Sequence, residues 1–118
     1  MKQLLEYTPY IVAGAGIWAL ANGILHDIFV LIKFHTKYDR DLLRLLMDGH
    51  VMITCGLALL LSYKGVGEHG SLAIAVSILA CSSLLVYCAM IFPFLKSMAT
   101  IAINLFTLAL LIILAVKK

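Results

Sequence analysis

An all-α integral membrane protein, a four-transmembrane-helix bundle running up-down-up-down, is the fold class that the sequence predicts, and three observations carry it. Of the 118 residues, 64% are hydrophobic and only 13% are charged, against roughly 45–50% and 25% in soluble domains. The mean hydropathy of +1.08 agrees. The charged residues are gathered into short stretches that separate four apolar runs, each about 20 residues long, enough to cross a hydrocarbon core of ~30 Å at ~1.5 Å per helical residue. The stretches between the runs are too short for anything but tight connections, so successive helices should run antiparallel and both termini should share one side of the membrane.

The first helix is expected over residues 8–34, with Tyr7 and Tyr10 at the interface and Lys33 snorkelling at its far end. Lys2 ahead of an apolar run, with Ala19-Leu20-Ala21 behind it, has the outline of a signal peptide. Glu6 interrupts the charged start, however, so the helix is expected to stay in the mature protein. Asp39 is a candidate N-cap and Asp41 a first-turn acid for a second helix over 40–63. The glycines of Lys64-Gly65-Val66-Gly67-Glu68-His69-Gly70 predict a flexible turn, after which Ser71 caps a third helix over 71–94, ending around Pro93. A fourth helix follows over 97–116 and stops at Lys117-Lys118. The whole chain is read as one domain.

The net charge of +3 is spread over termini and connections, which suits lipid head groups and argues against nucleic acid as a partner. Cys55, Cys81 and Cys88 fall inside helices without metal-ligand or redox spacing and read as inert thiols. Basic residues do not decide orientation. The terminal side has four, Lys2, Lys64, Lys117 and Lys118, and the other side five, Lys33, Lys37, Arg40, Arg44 and Lys96. A near balance admits a weak signal, orientation by a partner, or insertion both ways as an antiparallel dimer. The chain is expected in a membrane of the bacterial inner type.

Ionisable groups within a membrane helix cost about 2.5 to 3.5 kcal/mol each at its centre, so they mark function or pairing. Counting back from a turn near residue 37 puts His26 level with about residue 48, so His26, Asp27, Asp48 and His50 share one layer, which Tyr87 and Asn104 join from the third and fourth helices. Asp48 and His50 are two residues apart and point to nearly opposite sides, which argues against a compact four-ligand metal site from the first two helices alone. On the first helix, Gly16, Ala19, Asn22, Gly23, His26 and Asp27 form a broad face of small and polar residues, expected to pack, while Ile17, Ile24 and Ile28 meet lipid. Ser97, Thr100, Asn104 and Thr107 form a polar stripe on the fourth. Arg44 is expected to pair with Asp27, Asp41 or Asp48.

In size, helix count and near-balanced flanking charge the chain is similar to small multidrug transporters and fluoride channels, with no shared residue motif. Three functions follow from the polar layer. The first is a non-enzymatic accessory or scaffold subunit of a larger membrane complex, with Arg44, Asp48 and Asp27 as a structural ion-pair lock. The second is a proton- or cation-coupled transporter or channel acting as a homo-oligomer, with Asp27 or Asp48 exchanging a proton and His26 or His50 as relay. The third is a haem held between His26 and His50. No nucleophile-and-base pair, phosphate loop or metal-ligand spacing points to an enzyme.

Overall fold

The computed structural model describes residues 2–33, 37–93 and 97–117, and all the secondary structure in them is helical. The elements are α1 (Lys2–Glu6), α2 (Thr8–Lys33), α3 (Arg40–Gly67), α4 (Ser71–Ile91) and α5 (Met98–Lys117). Of these, α2 to α5 are long and apolar enough to cross a membrane. The helix ends expected at Phe34 and Phe94, and Lys96 and Lys118 of the charge count, lie outside the described residues.

Asp39 caps α3 as expected, its carboxylate accepting the Leu42 N–H at 2.9 Å. The other end of α3 differs from expectation. It runs through Lys64-Gly65-Val66 to Gly67, because Val66 is fully buried and Gly65 lies against Ala73 of α4, packing that outweighs the weak helix propensity of glycine. His69, with φ of 58°, then takes the left-handed position that ends the helix, and Gly70 N–H reaches back to the Gly65 carbonyl at 2.8 Å while His69 N–H reaches that of Val66. Gly70, not Ser71, therefore occupies the N-cap position of α4, with no side-chain cap. At its other end α4 stops at Ile91, two residues before the proline ring.

Helix α2 packs on α3, α3 on α4 and α4 on α5, and α5 returns to α2, so the four surround one core. Val12, Leu59, Leu84 and Leu111, one from each, are fully buried in it. The closest approach is between α2 and α3. Gly16 faces the Gly56 carbonyl and Gly23 faces the Gly49 carbonyl, so the two helices run antiparallel. Each helix carries its pair of glycines seven residues apart, two turns on one face, which allows backbone to meet backbone twice. Ala15 and Ala19 are buried on the same face, while Ile17, Ile24 and Ile28 are exposed, as the sequence pattern required.

This seam sets a register in which residue 23 lies opposite 49, so His26 stands level with about residue 46, half a turn from the position expected by counting from the connection. It also leaves the helices unequal. With 26 and 28 residues, α2 and α3 are longer than α4 and α5, with 21 and 20. Ile91 and Ser97 line the same cleft as His26, Leu45 and Asp48, so α4 ends and α5 begins at that level. The last turns of α2 and the first of α3 therefore project beyond their neighbours by roughly 10 Å at ~1.5 Å per residue. Among the described residues of this overhang Val30 and Leu42 are buried, while Phe29, Leu31, Ile32 and Leu43 are exposed.

A methyl group at Gly23 would lie 2.6 Å from the Gly49 carbonyl oxygen and 2.9 Å from Ile53 N, backbone atoms that yield only if the helices separate. Gly14 has nothing within 4 Å of the same position. Gly23→Ala should therefore lower stability by about 1–2 kcal/mol, overpacking of ~1–3 kcal/mol outweighing a helix-propensity gain of up to ~1 kcal/mol. Gly14→Ala should show only that gain. Denaturant unfolding of both variants in detergent micelles checks the pair, and equal effects would mean that the seam does not hold the two helices together.

Candidate functional site

The seam sends the ionisable groups of the hairpin to two different sides. The Asp27 side chain leans back toward the N-terminus of α2, as helical side chains do, and one carboxylate oxygen rests against Gly49 at the point where a Cβ would sit. That oxygen is buried and has no hydrogen-bond partner. His26, one position earlier and about 100° round the helix, points instead to a cleft of about 390 Å³. Its Nε2 lies 3.0 Å from the Leu45 carbonyl oxygen. A carbonyl only accepts, so Nε2 carries the proton and Nδ1 is left with a lone pair in the neutral ring.

All four long helices, and Ser97 just ahead of α5, line this cleft. Asn22 and His26 come from α2, Leu45, Asp48 and Met52 from α3, Tyr87 and Ile91 from α4, and Thr100 from α5. Asn22 donates its amide N–H to the Trp18 carbonyl at 2.8 Å, and Trp18 donates its indole N–H to the Thr100 hydroxyl at 2.9 Å, tying α2 to α5 beside the cleft. Asp48 is half-buried, and no hydrogen bond or ion pair satisfies its carboxylate among the described residues.

Of the residues expected in one layer, His26, Asp48 and Tyr87 meet in the cleft, joined by Asn22 from the packed face of α2, and Asp27 does not line it. Asp27 lies near enough to His26, His50 and Asp48 to interact with each through its charge. His50 is exposed and outside the cleft, on the side away from Asp48, as the two-residue spacing required. Asn104 lies deeper, and its amide bonds within its own helix to the Thr100 carbonyl at 2.8 Å, leaving its oxygen buried without a partner. It makes no hydrogen bond to another helix among the described residues. Arg44 is exposed and pairs with none of Asp27, Asp41 and Asp48 among the described residues, because it lies on the overhang, turned to the surroundings.

Sequence reasoning missed Trp18 and the place of Thr100 and Ser97 beside the cleft. The signal for Trp18 was present: an indole N–H in an apolar helix needs an acceptor, and Thr100 stands on the polar stripe of α5. Among the described residues no group of three His, Cys, Asp or Glu side chains is placed to hold a metal ion. A second cavity, of about 360 Å³, lies at the terminal end between Glu6, Pro9, Val66, His69 and Lys117, where charges of both signs share one wall. Comparison with protein families, with characterised proteins and with solved structures found no match to this chain.

An unpartnered carboxylate oxygen at Asp27 contributes no lock. Asp27→Asn should change stability by less than about 1 kcal/mol or raise it, where breaking a buried ion pair would cost about 3–5 kcal/mol. Arg44→Gln should stay within about 0.5 kcal/mol, as for other exposed positions. Thermal unfolding in detergent checks both, and a large loss in either variant would restore the ion-pair lock.

Proposed function

We propose that the chain crosses a membrane four times, up-down-up-down with both termini on one side, and serves as a non-enzymatic accessory or scaffold subunit of a larger membrane assembly. The observation that carries this reading is the overhang. Helices α4 and α5, at 21 and 20 residues, match a hydrocarbon core of ~30 Å, and α2 and α3 exceed it. The exceeding turns present Phe29 and Ile32, 58% and 69% exposed, where lipid tails give way to head groups. Apolar surface placed at that level favours cover by another protein. The filled core supports the same reading: Val12, Leu59, Leu84 and Leu111, one from each helix, are fully buried at its centre.

A second reading, a proton- or cation-coupled transporter working as an oligomer, has the cleft in its favour: Asp48 and His26 face one space, and an unpaired carboxylate beside an imidazole can exchange a proton. In that case the path would have to form between protomers.

Purification in a mild detergent, with a photoreactive amino acid at Phe29, separates the two. The accessory reading expects larger co-purifying chains and a cross-link from position 29 to one of them. A homogeneous homo-oligomer that moves protons in liposomes, and loses that activity in Asp48→Asn, would replace it with the transporter. A lone protomer cross-linked only to lipid would overturn both.

A further inference from the structure

We propose that the cleft between His26, Asp48 and Tyr87 binds a primary ammonium group carried by an amphiphile. The reason lies in which hydrogen-bonding atoms are already used. Asn22 spends an N–H on the Trp18 carbonyl, which leaves its oxygen as an acceptor. His26 spends its only N–H on the Leu45 carbonyl, which leaves Nδ1 as an acceptor. Asp48 is acceptor-only when ionised and has neither a hydrogen bond nor an ion pair among the described residues. The Thr100 hydroxyl already accepts the Trp18 indole, and the Tyr87 and Ser97 hydroxyls serve as either donor or acceptor.

A wall rich in free acceptors, with one carboxylate and, among the described residues, no lysine or arginine to neutralise it, is complementary to a cation that brings its own N–H groups. A primary ammonium has three, and acceptors such as these reward each one with a charge-assisted hydrogen bond. A quaternary ammonium has none, and among the described residues the Tyr87 phenol is the one large aromatic ring lining the cleft, short of the cage such cations prefer. An anion is repelled by the Asp48 carboxylate and leaves the free acceptors unmatched.

The rest of the lining selects the remainder of the molecule. Leu45, Met52 and Ile91 give the cleft an apolar side, and its volume of about 390 Å³ lies at the small end of ligand pockets, roughly 300–1,000 Å³. It lies where α4 ends and α5 begins, beneath the overhang, so an alkyl chain attached to the ammonium would run along the bundle toward the apolar surface. The same chemistry has two sources, the ethanolamine head group of a phospholipid and a free long-chain amine. The site serves a scaffold or a transporter equally.

Trp18 makes the test direct, because it is the only tryptophan in the chain and its bond to Thr100 adjoins the cleft. The full-length protein in dodecyl maltoside is titrated at pH 7 with dodecylamine, which is charged at that pH, and separately with dodecyltrimethylammonium, while Trp18 fluorescence is recorded. The expected result is a saturable change with dodecylamine, roughly tenfold or more weaker with the quaternary analogue. Asp48→Asn, judged folded by its helical circular dichroism, should weaken dodecylamine by a similar factor. Equal responses to the two amphiphiles, a response that never saturates, or an unchanged affinity in Asp48→Asn would overturn the proposal. The comparison of amphiphiles uses the unaltered protein and so stands even if the variant does not fold. Mass spectrometry of lipids retained through purification then separates the sources. Enrichment of phosphatidylethanolamine over phosphatidylglycerol, lost in Asp48→Asn, assigns the site to the head group, and saturable dodecylamine binding without that enrichment assigns it to a free amine.

Discussion

Backbone contact between α2 and α3 at two glycine pairs is the constraint on which the rest of this structure depends. In lipid, helices gain nothing from the hydrophobic effect by leaving one apolar solvent for another, so association rests on close packing and polar contacts. Gly16 against Gly56 and Gly23 against Gly49 supply the close packing. Because each pair brings a backbone carbonyl to the place where a side chain would otherwise begin, the register has little freedom. A slip by one residue would set Ile17 or Ile24 against a carbonyl.

The polar geometry follows from that register. Asp27 finds room for its carboxylate only because position 49 has no side chain, and His26 reaches the Leu45 carbonyl only because the helices are within one side chain's length of each other. The same rotation that turns Asp27 to the seam turns His26 to the cleft, and the two-residue spacing of Asp48 and His50 repeats the division on α3. The layer is thus two arrangements at one depth. One faces α4 and α5 and encloses a space, and the other lies on the open side of the hairpin.

Length mismatch gives the cleft its setting. A carboxylate at the centre of a membrane is expensive, and if the four helices span one as proposed, a carboxylate level with the ends of two of them is much less so, since water and head groups would reach it. Asp48 stands at that level without an ion-pair partner among the described residues, and Arg44, one turn further along the same helix, is exposed on the overhang. The acceptors around Asp48 are uncommitted because their neighbours have used the donors. Further in, polar side chains continue among the apolar ones, Ser77, Asn104 and Thr107 being fully buried alongside Leu59, Leu84 and Leu111.

The helices, their number and the packed face of α2 were legible in the sequence, since run length, caps such as Asp39 and the spacing of small residues are local properties that tertiary context reinforces here. The opposed directions of Asp48 and His50 were legible for the same reason, as a consequence of helical geometry alone. Other features required the fold. The continuation of α3 through Gly65 and Gly67 depends on the burial of Val66 and on Ala73 from another helix, and no local propensity signals it. The half-turn shift of register came from glycine contacts between residues far apart in the chain, Gly23 with Gly49 and Gly16 with Gly56, and counting from a connection carries no information about them. The isolation of Arg44, the bond from Trp18 to Thr100 and the retreat of Asn104 into its own helix were decided by which helix stands beside which. Composition and periodicity say how deep a polar residue lies on its own helix, and only the packed structure says what faces it.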